Sequence, residues 1–372
     1  MRLGLIVNPI AGMGGRVGLK GTDNALEEAL SRGAQPMAPK RAIEFLSRLR
    51  SNEQKTQVEI ITCPSVMGQD EAGAAGFPVK ILPMSIGTKT SAEDTKRAVR
   101  LMAKKGVDLI VFVGGDGTAK DVFDAQCGHT ETPALGVPSG VKMYSGIFAI
   151  NPVDAADVVL ALAQREAEIT EFEIMDADEK AVRNDNFIVK LYGFMKGPFL
   201  PAHVQGSKQI SPETIDEKEN QTAIAKFITE EKQPNATWIL GPGTTVKSVA
   251  ETLGIKKTVL GVDIYKEGTV ILDVDEQKIL KEVIDWKDTW IIVSPIGHQG
   301  IILGRGNQQI SPEVIKLVGK KHIIVLATKS KIQNMEERIL RVDTGNFEID
   351  NMLRGYIRVV TDYREWLLMP VK

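Results

Sequence analysis

At 372 residues the chain is longer than one hydrophobic core usually supports, so two domains are expected. Its 43% hydrophobic and 25% charged residues are ordinary for a soluble globular protein, and a formal net charge of −2 argues against a generally basic nucleic-acid binder. Two cysteines, Cys63 and Cys127, exclude a disulfide framework and a cysteine zinc site, and His129, His203, His298 and His322 lack metal-ligand spacing.

The apolar run Leu3–Val7 reads as a buried strand that ends at Asn8-Pro9. It is too short for a signal-peptide core, and no later run approaches the ~18 apolar residues of a membrane span. A cytoplasmic protein with neither membrane nor nucleic-acid partners is the expectation. A glycine-rich segment, Asn8 to Gly21, follows, and Thr22-Asp23 opens a helical stretch. Ala42, Ile43, Leu46 and Leu49 predict an amphipathic helix over 39–50. Short strands are predicted at 58–61 and 79–82. The capping-box spacing of Thr90-Ser91-Ala92-Glu93 predicts a helix over 91–105. Val107 to Val113 reads as a strand covered on both faces. Helix 118–126 and strand 134–137 follow, then helix 152–165, with Asn151 as N-cap and Pro152 in its first turn. This alternation predicts an open α/β sheet domain over 1–165.

Beyond 165 a second, mixed α/β domain with antiparallel strands is expected over 166–372. Residues 171–175 and 187–192 read as paired strands. Alternation then resumes: strand 237–240, helix 244–253, strands 258–264 and 269–273, helix 275–285, strand 289–293, helix 312–318 and strand 322–327. The tail from Tyr356 to Val371 reads as two strands around Asp362. Ser-Pro-Glu helix starts recur at 211–213 and 311–313, without a wider duplication.

The chemistry concentrates at Val113-Gly114-Gly115-Asp116-Gly117-Thr118, where a buried strand runs into glycines and a helix start. Glycines let the backbone approach an anion, and a helix N-terminus offers free N–H groups and a positive dipole end. A carboxylate beside phosphate is costly unless it holds Mg²⁺ or takes a proton from an attacking hydroxyl, so Asp116 is the candidate base and metal ligand. The loop after the first strand supplies Asn8, Gly12, Gly14 and Gly15, and departs from both the Walker A and the dinucleotide fingerprints. A third glycine turn brings Ser139, Gly140 and Lys142, a point charge suited to phosphate. In the second half, Gly241-Pro242-Gly243-Thr244-Thr245 makes Gly243 and Thr244 a further anion-ready helix start. Ser294 to Asn307 reads either as a loop that closes over a nucleotide or as a hairpin of tight turns.

Together these segments resemble the superfamily of ATP-NAD kinases and diacylglycerol kinases, which carries Asn-Pro after the first strand, a Gly-Gly-Asp-Gly-Thr turn and a later Pro-x-Gly loop. The resemblance is nearest to the ATP-NAD kinase-like branch that includes the acetoin-catabolism protein X group. Matching segments are Asn8–Asp23, Val113–Val122, Gly136–Ala149, Leu240–Thr245 and Ser294–Gln309. The resemblance implies phosphoryl transfer from ATP with Mg²⁺ to a hydroxyl, in NAD kinases the 2′-OH of the adenosine ribose. It also implies a homo-oligomer, with the second domain closing the nucleotide cleft. Asp116 would be the base, and Gly114, Gly115, Gly117 and Thr118 the polyphosphate holders. The Asn-Glu pair by which NAD kinases hold the ribose has its nearest candidates in Asn184-Asp185-Asn186, outside a clear match.

Overall fold

The computed structural model describes residues 1–19, 26–52, 57–87, 89–140, 143–177, 189–201, 203–204, 215–231, 236–297 and 299–372. By contact the chain divides into two compact units, Met1–Met13 with Gly21–Lys208, and Gly14–Lys20 with Gln209–Lys372.

The first unit contains β1 (Arg2–Val7), α1 (Leu26–Ser31), α2 (Ala38–Ser51), β2 (Glu59–Thr62), α3 (Gln69–Ala74) and β3 (Val79–Ile81). There follow α4 (Ala92–Lys104), β4 (Leu109–Gly114), α5 (Asp116–Gln126), β5 (Ala134–Pro138), α6 (Pro152–Ala163), β6 (Glu168–Ala177) and β7 (Val189–Phe199). The first five strands form one sheet in the order β3-β2-β1-β4-β5, parallel throughout. The continuous apolar run of β4 follows from this position, since every one of its residues is buried. Phe45, Leu46 and Leu49 of α2 and Ala98, Val99 and Met102 of α4 pack in the same core as β1 and β4. Burying each large apolar side chain contributes roughly 1.5–3 kcal/mol.

The chain builds β1, β2 and β3 toward one edge, then returns past β1 to lay down β4 and β5. The direction of winding therefore reverses between β1 and β4, and ligands of open α/β sheets bind at the carboxyl ends of strands beside such a reversal.

Three local details depart from expectation. Ser91 caps α4 and gives its N–H to Asp94 at 2.9 Å, so the reciprocal acid sits one residue beyond the Glu93 of the expected box. Helix α5 starts at Asp116 rather than Thr118, because Gly115 is already its N-cap. The antiparallel pair β6–β7, which follows the expected boundary at 165, belongs to the first unit. Asn151 caps α6 as expected, accepting from the Asp154 N–H at 2.8 Å.

The second unit contains α7 (Ile215–Glu230), β8 (Thr237–Leu240), α8 (Thr244–Thr252), β9 (Asp263–Lys266), β10 (Thr269–Ile271), α9 (Glu276–Glu282) and β11 (Thr289–Val293). It continues with β12 (Ile301–Leu303), α10 (Pro312–Val318), β13 (Ile323–Leu326), α11 (Lys329–Gln333), β14 (Arg341–Val342), α12 (Phe347–Leu353), β15 (Gly355–Asp362) and β16 (Glu365–Val371). Its sheet runs β10-β9-β8-β11-β13-β15-β16, with β8, β11, β13 and β15 parallel and an antiparallel neighbour at each flank. The tail forms the expected antiparallel pair, turning after Asp362.

Residues 258–262 are not the strand their apolar character predicts. The buried Asp263 carboxylate accepts from the Thr258 N–H at 2.9 Å and the Asp273 N–H at 2.7 Å, and it pairs with Lys257 at 3.2 Å. These bonds fold the approach into a turn and delay the strand to Asp263. The expected helix 275–285 is shorter, with Asp275 as its N-cap.

Candidate functional site

Three loops of the first unit converge at the β1/β4 reversal. Asn8, directly after β1, gives its backbone N–H to the Val113 carbonyl at 3.0 Å and its side-chain Nδ2–H to Thr118 Oγ1 at 2.9 Å. Ser139, directly after β5, gives its N–H to the Gly114 carbonyl at 3.0 Å. The glycines here answer to close approach. A Cβ at Gly12, which has φ +79°, would overlap the Ser139 carbonyl, and one at Gly114 would overlap the Thr118 side chain. The backbones of Gly115 and Gly140 nearly touch: a Cβ on Gly140 would lie 3.3 Å from the Gly115 Cα.

Helix α5 rises from this junction with no side-chain cap, and its N–H groups at 116–118 precede the first intrahelical bond, Ala119 N–H to the Gly115 carbonyl. Ser139 is buried, and its Oγ has no hydrogen-bond partner among the described residues. A buried hydroxyl left without a partner is costly, so this one is open to a hydrogen bond from beyond the described residues.

Asp116, the first residue of α5, accepts two backbone N–H groups, from Tyr144 at 2.7 Å and from Ser145 at 3.0 Å. The carboxylate is thus held in one orientation by the loop after β5. Burial, with the Asp116 charge as a lesser cause, pushes the Tyr144 phenol up to about 12, so it stays protonated at neutral pH. Among the described residues no group of three His, Cys, Asp or Glu is placed to hold a metal. Magnesium in nucleotide sites typically needs only one or two carboxylates, with water and phosphate completing the shell. Asp116 is a carboxylate of the kind such a shell uses.

The structure therefore brings together Asn8, Gly12, Gly114, Gly115, Asp116, Gly117, Thr118, Ser139 and Gly140. Gly14 and Gly15 fall in the segment grouped with the second unit, where the Arg16 carbonyl accepts the Glu276 N–H at 3.3 Å. Lys142, Asn184-Asp185-Asn186 and His298 lie outside the described residues. In the second unit Gly243, at φ +113°, is the N-cap of α8, and Thr244 opens that helix. Beside it Lys331 donates to Thr245 Oγ1 at 3.2 Å and to Ser294 Oγ at 2.9 Å. The segment from Ser294 makes tight turns: Ile296 and Ile301 bridge, and Gly297, Gly300, Gly304 and Gly306 all have positive φ. Its polar residues are structural in part, since Arg305 donates to Gln299 Oε1 at 2.7 Å and Asn307 accepts from the Gly304 N–H at 2.9 Å. Sequence reasoning missed Lys331, which no motif marks, and the backbone grip on Asp116.

An uncapped helix start, a carboxylate and glycine loops at a winding reversal define an α/β protein with the parts of a phosphoryl-transfer site. The family comparisons agree: the ATP-NAD kinase N-terminal domain matches residues 3–167 and the ATP-NAD kinase C-terminal domain matches residues 234–371. The chain belongs to the ATP-NAD kinase family, and its enzymatic class is that of a kinase. No curated protein and no solved structure matches the chain.

Proposed function

We propose that the protein is an ATP-dependent kinase of the NAD kinase type, transferring the γ-phosphate to the 2′-OH of the NAD adenosine ribose. The observation that carries this reading is the juxtaposition, at the β1/β4 reversal, of Asp116 and the uncapped start of α5 beside the Ser139 hydroxyl, which has no partner among the described residues. Phosphoryl transfer asks mostly for positioning and charge neutralisation. The N–H groups at 116–118 and Ser139 Oγ would bind phosphate oxygens, with Gly114, Gly115, Gly117 and Gly140 giving the approach. Thr118, held by Asn8, would fix the turn, and Lys142 would add a phosphate contact, while Gly243 and Thr244 would offer an anion-ready helix start within the second unit. Asp116 would accept the proton of the attacking hydroxyl or hold the nucleotide's Mg²⁺, which when bound neutralises polyphosphate charge. Under the same reading Gly14 and Gly15 belong to the nucleotide loop, the protein works in the cytoplasm, and it forms a homo-oligomer. Among the described residues no helix is long and apolar enough to cross a membrane.

A second reading, nucleotide binding without turnover, is favoured by the two N–H groups on Asp116, which give the carboxylate a structural duty of its own. ADP release from Mg-ATP, measured with NAD, NADH, sphingoid, glycerolipid and sugar acceptors, separates the two. Stimulation by NAD, cut to a small residual rate in Asp116→Asn, is the expected result. Nucleotide binding with no acceptor raising ADP release above the ATP-only background would leave the second reading standing.

A further inference from the structure

The β6–β7 ladder slips by one residue beside this site. Ile174 faces Gly193 but Met175 faces Leu191, which leaves Tyr192 as the extra residue of a β-bulge. The bulge is fitted to helix α5. The Tyr192 hydroxyl donates to Asp124 at 2.9 Å, its ring meets Phe123 edge-on with centroids 5.7 Å apart, and a Cβ at Gly193 would overlap the Phe123 ring. Lys120, also on α5, pairs with Asp176 of β6 at 2.7 Å.

The segment Tyr144-Ser145-Gly146 is strung between this bulge and Asp116. On one side the N–H groups of Tyr144 and Ser145 hold the Asp116 carboxylate. On the other, Ser145 Oγ accepts the Met175 N–H at 2.9 Å, and the Gly146 N–H reaches the Glu173 carbonyl at 2.9 Å. Ser145 is fully buried, and it bonds to both sides through its own atoms, by its N–H to Asp116 and by its Oγ to the Met175 N–H. Its hydroxyl oxygen is engaged by the Met175 N–H, so its contribution to the carboxylate is argued through the placement of its own N–H.

We infer that Ser145 is a positioning residue for phosphoryl transfer, locking the orientation of the Asp116 carboxylate to the β6–β7 bulge. The inference rests on the kinase reading given above. Small misplacements of a reacting group are expensive in rate, up to about 100-fold for 1 Å. Removing the hydroxyl leaves the backbone donor in place but lets it drift.

The test is steady-state kinetics, well below the melting temperature, of wild type, Ser145→Ala, Ser145→Thr, Asp116→Asn and the Asp116→Asn/Ser145→Ala double variant. Ser145→Ala is expected to lower kcat about 10-fold or more while KM for ATP stays within about two-fold, as for a change felt in the transition state. Ser145→Thr, which keeps an acceptor oxygen, recovers most of the rate. In the Asp116→Asn background the alanine change has no further effect on the residual rate, because two residues acting through one group are not additive. Ser145→Cys, similar in size with a weak sulfur acceptor, is read in the same way should the alanine variant not fold. An active wild type with an unaltered kcat in Ser145→Ala, or the same fractional loss in both backgrounds, overturns the inference alone. A wild type without turnover on any acceptor overturns the kinase reading and this inference with it.

Discussion

Replacing Asp116 by Asn changes one oxygen of the carboxylate into an NH₂ group. In the native protein both oxygens accept backbone N–H groups, from Tyr144 at 2.7 Å and Ser145 at 3.0 Å. An Asn side chain retains one acceptor and must set its NH₂ against the other N–H, so one charge-assisted bond is lost and two donors face each other. A hydrogen bond to a charged group contributes roughly 1.5–3 kcal/mol, and the cost of Asp116→Asn is expected near the upper half of that range, about 2–3 kcal/mol. For a domain of roughly 150–250 residues, 1 kcal/mol corresponds to about 2–4 °C in Tm, giving a fall of about 4–12 °C. Asp116→Ala removes both acceptors and is expected to fall further. Differential scanning calorimetry of the three proteins checks the order wild type, Asn, Ala. An Asn variant that melts with the wild type would refute the claim that Asp116 holds the loop after β5, and would leave it free for chemistry alone.

Ser139→Ala removes a buried hydroxyl with no partner among the described residues, so the unliganded protein should be unchanged or more stable, by up to about 1–3 kcal/mol, while nucleotide affinity drops roughly five-fold, the equivalent of about 1 kcal/mol. Isothermal titration with ATP checks this, and an unchanged affinity would remove Ser139 from the site. Burial raises the Glu71 carboxyl from 4.5 to about 7, so its ionised form is disfavoured in the folded state. Its contribution to stability is intact below pH 4.5 and is lost as pH rises toward 7, by roughly 3 kcal/mol at about 1.4 kcal/mol per pKa unit. Urea unfolding should show wild type losing stability relative to Glu71→Gln over that window, and a difference independent of pH would contradict it. Lys257→Met strands the charge of Asp263, whose side chain is wholly buried like its own, and should cost about 3–5 kcal/mol. Chemical denaturation measures it, and a loss below about 1 kcal/mol would show the pair to be dispensable.

Much of the first unit was legible in the sequence because its signals are local. The apolar run of β4 and the glycines after it announce a parallel strand entering a phosphate-type turn, and Asn151-Pro152 announces a helix start. Legibility fails where distant groups decide. The Asp116 carboxylate is gripped by backbone N–H groups, which any residue but proline at 144 or 145 would present, so no motif marks them. The β6–β7 pair joins the first unit through contacts such as Lys120 with Asp176 and Tyr192 with Asp124, which link positions far apart in the chain. Apolar residues at 258–262 mimic a strand until the buried Asp263 draws Thr258 into a turn. The short helices α3, α11 and α12 escape periodicity because one or two turns carry too little pattern.

A crystal structure with Mg-ATP bound tests the account most directly. The account places the β- and γ-phosphates at the start of α5, within hydrogen-bond reach of the N–H groups at 116–118 and of Ser139 Oγ, with Asp116 facing the γ-phosphate or its magnesium. Phosphate density at another helix start, with Ser139 Oγ still lacking a partner or satisfied by water alone, would contradict it.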